Sequence, residues 1–147
     1  MEIRYYDNLP EEAKTIRRAV FMEEQGFQEE FDEIDGQAGH LVMFDGALPV
    51  ATCRFYRKKG TVSYIIGRVA VIPEYRGRSL GSGLLQAVED IVKKKQADAV
   101  WLHAQVRAQA FYQKQGYFPY GETDDEEGCP HIWMCKKISE NLKNQKK

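Results

Sequence analysis

The stretch that most constrains this chain is VAVIPEYRGRSLGSGLLQAVEDIVKKK, residues 69–95. A β-branched run meets a glycine-rich turn, and Leu84, Leu85, Val88, Ile91 and Val92 then recur at the spacing of one helix face. Strand, turn and helix follow in that order. With Gly77, Gly81 and Gly83 at the mouth of the helix, successive backbone N–H groups can point at one spot, where the helix dipole also favours negative charge. This reads as a phosphate or pyrophosphate cradle; the plainer reading is a strand-to-helix turn whose glycines only permit close packing. No Lys-Ser/Thr pair follows the last glycine and the Gly-x-Gly-x-x-Gly order is missing, so nucleoside triphosphatase and hydride-transfer readings lose support.

The remaining chain supplies one domain, residues 1–147, around that unit. Residues 2–6 alternate as a first strand. Asp7 or Asn8 is placed to cap a helix that opens with Pro10, Glu11 and Glu12 and carries Ala13, Ile16, Val20 and Phe21 at helical spacing. From Glu23 to Asp35 the pattern gives way to seven carboxylates in thirteen residues, a loop or short second helix. Two β-rich runs between His40 and Arg57 flank Asp45-Gly46, a hairpin signal. A strand over 61–72 contains Gly67, which suggests a bulge or close backbone approach. A buried strand over 99–104, a short helix over 108–115 closed by Gly116, a strand over 131–136 and a charged tail from about 138 complete the chain.

With 21 basic against 22 acidic side chains, the chain has no general cationic excess with which to bind nucleic acid. The N-terminus lacks a secretion signal and no apolar run approaches the ~20 residues that span a bilayer, so the expected location is the cytoplasm, without a membrane partner. Cys53, Cys129 and Cys135 show no CxxC or Cys/His ligand spacing, and are read as reduced thiols with no metal.

The string RGRSLGSG, 76–83, resembles the Arg/Gln-x-x-Gly-x-Gly/Ala signature of the GNAT acetyltransferase superfamily, with Arg78, Gly81 and Gly83 at the signature positions. AFYQKQGYFPYGE, 110–122, is similar to that superfamily's second motif. RRAVFMEEQGF, the EIDG at 33–36 and PHIWM at 130–134 resemble its bacterial ElaA-like and YjcF-like branch, so the match covers nearly the whole chain. The resemblance implies an α/β (α+β) fold, a mixed, mostly antiparallel twisted sheet flanked by helices. Acetyl-coenzyme A would lie between two splayed parallel strands, 64–72 and 99–104. It implies transfer of the acetyl group to a primary amine of a small molecule, and is compatible with a homodimer.

In that frame Val69, Ala70 and Val71 would pair with the pantetheine arm, and backbone N–H groups of Arg78, Ser79, Leu80, Gly81, Ser82, Gly83 and Leu84 would hold the pyrophosphate, beside Gly77. Arg76, Arg78 and Lys114 would add charge, or else be solvated surface cations. Gln105 stands where many relatives carry Asn and is kept as a candidate cofactor contact. By resemblance Tyr112 is the general acid; its plainer reading is a packed core tyrosine. Glu24 and His131 are candidate bases, with a water chain able to take their place. The acidic segments 23–35 and 124–127 either attract a cationic amine or are simply solvated. An aminosugar phosphate acceptor would require Arg54, Arg57 or Arg68 to converge. A peptide or protein amine acceptor fits the same resemblance, as does a non-catalytic acyl-coenzyme A sensor.

Overall fold

A computed structural model describes residues 1–28 and 31–138. The charged tail beyond Ile138, and Glu29 and Glu30 of the acidic segment, lie outside the described residues. The chain groups into two compact units.

The first unit takes Met1–Tyr56 and Gly67–Val88. Strands β1 (Glu2–Tyr6), β2 (Gly39–Asp45) and β3 (Leu48–Arg57) pair in antiparallel fashion in chain order, and Gly46 closes the β2-to-β3 turn at φ 61°. Helix α1 (Glu11–Arg17) differs from expectation at its start: Pro10 is the N-cap, in extended geometry, and no side chain caps the helix. Proline lacks an N–H and disfavours a helical residue before it, so the helix begins only after Pro10 and leaves Asp7 and Asn8 outside. The helix widens into a π-helical segment, Arg18–Glu24. Ala13, Ile16, Val20 and Phe21, spaced to share one side, pack with Val42, Phe44 and Ala70 in the core. A 3-10 turn, Glu33–Gly36, ends the acidic segment.

Strand β4 (Tyr64–Val71) contributes its second half to this unit. The irregularity expected at Gly67 falls one residue later. Arg68 has φ 52°, the left-handed region that side chains with a Cβ seldom enter. Helix α2 (Leu80–Lys94) then begins after the glycine turn, with Leu84, Leu85 and Val88 buried.

The second unit comprises Arg57–Ile66 and the described residues from Glu89 onward. Here the first half of β4 pairs in parallel with β5 (Ala99–Gln105), from Tyr64 opposite Val100 to Ile66 opposite Leu102. Strand β5 pairs antiparallel with β7 (Cys129–Lys137), which pairs antiparallel with β6 (Phe118–Glu126). Short helix α3 (Gln109–Lys114) lies between β5 and β6 in sequence. Val100, Leu102, Ala104, Ile132 and Met134 turn inward, while His103, Gln105, His131 and Trp133 occupy the alternate positions. Strand β6 is exposed throughout, so it lacks the apolar alternation by which a strand is recognised.

Candidate functional site

The glycine turn is built as a helix mouth. Gly77 and Ser79 both adopt left-handed backbone, φ 78° and 62°, which turns the chain into α2. The Gly83 N–H donates to the Ser79 carbonyl at 3.1 Å and closes the first helical turn. Of the expected donors, Gly83 is thus engaged within the helix, and Leu84 is a fully buried residue one position further in. The N–H groups of Leu80, Gly81 and Ser82 precede that turn and have no helical carbonyl to bond. They fit a pyrophosphate. Arg78 is exposed and lies over the Tyr75 ring, 4.6 Å from its centroid.

Arg76 is not a loose cation. Its Nη1 and Nη2 reach the two carboxylate oxygens of Glu24 at 2.7 and 2.6 Å, and its Nε donates to the Val71 carbonyl at 3.0 Å. The guanidinium thus joins the end of β4 to the end of the π-helical segment. Ala70 is buried, and Val69 and Val71 are half-buried.

The acidic segment folds back on arginines. Buried Arg17 grips Asp35 at 2.8 and 3.1 Å; Arg54, also buried, reaches Asp35 at 3.0 Å and Asp32 at 2.6 and 3.2 Å. Arg68 meets Asp32 at 3.3 Å. Asp32 and Asp35 also form a reciprocal capping box around the 3-10 turn, and His40 Nε2 donates to the Asp35 carbonyl at 3.0 Å. Burial by itself would raise the Asp35 carboxyl, but hydrogen bonds and attraction from Arg17, then the Asp32 N–H and Arg54, outweigh it and hold it at about 2. Arg54 and Arg68 therefore do converge, on Asp32.

In the second unit Tyr112 is half-buried on α3, edge-on to Phe111 at 5.0 Å and to Tyr117 at 6.3 Å. Its neighbour Lys114 is exposed. The Gln105 side-chain oxygen accepts from Arg107 Nε at 2.6 Å.

His131 is buried and does not stand by itself. Its Nδ1 lies 2.8 Å from the Cys129 carbonyl, which can only accept, so Nδ1 carries a proton and Nε2 faces Glu126 Oε2 at 3.3 Å. His103 lies tilted beside it, ring centroids 4.7 Å apart, with Nε2 at 2.7 Å from Asp124 and Nδ1 at 3.9 Å from the same Glu126 oxygen. Sequence reasoning missed His103, and took Asp124 and Glu126 only as members of an acidic run. Register explains the grouping: Asp124 is opposite His131, Glu126 is opposite Cys129, and His103 is opposite Trp133, so all face one side of β5, β7 and β6.

Among the described residues no helix is long and apolar enough to cross a membrane. Residues 5–117 match the model of the Acetyltransferase (GNAT) family, and the chain belongs to that family. It is 36% identical to the uncharacterized protein YyaT of Bacillus subtilis, over 89% of this chain and 90% of that one. It is 32% identical to the uncharacterized N-acetyltransferase YjcF of the same organism, over 82% and 87%. The crystal structure of Escherichia coli ElaA superposes with a TM-score of 0.80 at 28% identity, covering 92% of this chain and 99% of that one. The mixed α+β sheet has the GNAT acyl-coenzyme A N-acyltransferase fold, and the chain is an acyltransferase dependent on acyl-coenzyme A.

Proposed function

We propose that this acyltransferase moves the acetyl group of acetyl-coenzyme A to the primary amine of a small molecule, by direct attack in a ternary complex. The observation that carries the reading is the helix mouth at Ser79–Ser82, whose N–H groups suit a pyrophosphate in a chain of this family. In this reading Leu80, Gly81 and Ser82 hold the pyrophosphate with Arg78 beside it, and the backbone of Val69, Ala70 and Val71 lines the pantetheine arm.

A neutral amine attacks a thioester readily once the two are held close. An alkyl amine with a pKa of ~10.4 is mostly protonated at pH 7, and releasing its lone pair costs about 4 to 5 kcal/mol at ~1.36 kcal/mol per unit. Glu24 suits that removal poorly, because Arg76 stabilises its carboxylate form, and His131 Nε2 is directed at Glu126. We assign the proton to water. The carbon–sulfur bond breaks as the amide forms, and the departing thiolate takes a proton from the Tyr112 hydroxyl.

For an aminosugar phosphate acceptor, Arg54 and Arg68 already share Asp32, which leaves exposed Arg57 as the remaining candidate for its phosphate. The test is release of free thiol from acetyl-coenzyme A with a panel of small amines, aminosugars and peptides. Turnover on small amines is expected; tight coenzyme A binding without turnover on any amine would make the chain a sensor instead.

A further inference from the structure

We propose that His103, Glu126 and His131 form a binding site for one divalent transition-metal cation. The three side chains come from β5, β6 and β7, and their ligand atoms all lie within 4.8 Å of one another. Chain spacing conceals the set.

Each imidazole is oriented by the hydrogen bond that its other nitrogen makes. His131 donates Nδ1–H to the Cys129 carbonyl, and His103 donates Nε2–H to the Asp124 carboxylate. The ring nitrogens His131 Nε2 and His103 Nδ1, which carry the lone pair in the metal-binding tautomers, both face Glu126 Oε2. Electron-rich atoms converging on one point are stabilised by a positive centre between them. A proton on His131 serves one edge of the triangle; His103 Nδ1, at 3.9 Å, is beyond hydrogen-bond reach. A metal ion serves all three. The second ring nitrogens have the partners that metal-bound histidines have, one carboxylate and one backbone carbonyl.

Metal–ligand bonds of ~2.0–2.2 Å in tetrahedral geometry put ligand atoms about 3.4 Å apart. The His131–Glu126 edge is 3.3 Å and the His103–Glu126 edge 3.9 Å, and all three ligand atoms lie within 4.8 Å of one another, so an ion would draw the His103 side chain inward. Two imidazoles select borderline cations such as Zn2+ or Ni2+ over Mg2+ and Ca2+. The Glu126 and His103 side chains are 46% and 25% exposed, so an ion has a path in and coordination positions open to solvent.

The experiment is calorimetric titration of the metal-stripped full chain with ZnCl2, which needs no acetyl transfer and stands or falls apart from the enzymatic reading. One Zn2+ per chain is expected, at micromolar affinity or tighter, and roughly 10-fold or more weaker in Glu126→Gln and in His103→Ala. Asp124→Asn, which alters only the group orienting His103, should weaken binding ~10- to 100-fold. Cys129→Ala should leave it unchanged. Absence of saturable uptake, uptake indifferent to Glu126→Gln and His103→Ala, or uptake lost in Cys129→Ala overturns the site.

Discussion

Tyr112 and Tyr117 stand edge to face, ring centroids 6.3 Å apart and planes at 75°, yet only Tyr117 is sealed from solvent. Tyr117 donates to Glu89 at 2.9 Å, and Glu89 also receives Lys136 at 2.8 Å. The two hydroxyls should therefore respond differently to removal. Tyr112→Phe is expected to lower kcat ~100-fold or more while leaving the Kd for coenzyme A within about 3-fold. Tyr117→Phe leaves a buried carboxylate short of one donor and should cost about 1–3 kcal/mol of stability, with little change in kcat. Steady-state kinetics and urea unfolding on both variants decide the matter; equal kcat for wild type and Tyr112→Phe removes the acid role.

The arginine-bound Asp35 predicts an acid-labile fold. Its carboxyl is held at about 2 against 3.8 in the unfolded chain. The folded pKa is depressed, so the stabilisation is complete above about pH 4 and is lost as pH falls through about 2. Some 2 kcal/mol, at ~1.36 kcal/mol per unit, should disappear across that window. Urea midpoints between pH 5 and 2 measure it. Asp35→Asn should flatten this part of the profile and cost about 3–5 kcal/mol at pH 7, because buried Arg17 loses its ion pair with Asp35 and buried Arg54 is left with Asp32 as its carboxylate.

Removing a single backbone donor from the helix mouth tests the cradle without changing charge. Ser82→Pro fits the first turn of a helix but lacks the N–H. One hydrogen bond to a charged group is worth about 1.5–3 kcal/mol, so the Kd for coenzyme A should rise roughly 10- to 100-fold. Ser79→Gly serves as the control: it relieves left-handed strain of about 1 kcal/mol and should raise Tm at nearly unchanged Kd. Unchanged affinity in a folded Ser82→Pro protein would place the phosphates elsewhere.

The Glu24–Arg76 pair is about 40% exposed on each side, so its contribution to stability should stay below ~1 kcal/mol. Glu24→Gln should accordingly keep kcat within about 3-fold. A 100-fold loss would reinstate Glu24 as the base.

Burial pushes the Cys53 thiol up to about 12, which leaves it neutral and shielded at pH 8. A chromogenic thiol reagent should titrate at most Cys129 and Cys135 in the native protein, and all three in denaturant. Rapid labelling of Cys53 without denaturant would contradict this packing.

Where a residue's neighbours in sequence determine its environment, the sequence sufficed. Leu84, Leu85 and Val88 declare a helix face by spacing, and Asp45-Gly46 declares a turn by its backbone freedom. Strand β6 escaped because all nine of its residues are exposed, and its acidic end resembled a solvated run. The segment around Asp32 and Asp35 read as solvated charge because Arg17, Arg54 and Arg68 reach it only through tertiary contacts. His131 is marked by its motif, but Glu126 and His103 become its neighbours through strand register, which no linear spacing encodes.

The left-handed residue in β4 also governs how that strand finds its place. A regular strand slides against its neighbours by two residues without exchanging its faces. Here a slip would have to hand the φ of 52° from Arg68 to another position. A slip by one toward Val69 meets a β-branched side chain that resists it, and a slip by two reaches Ala70, buried at 3% exposure. The left-handed Arg68 therefore favours the observed register of β4 over these two slips.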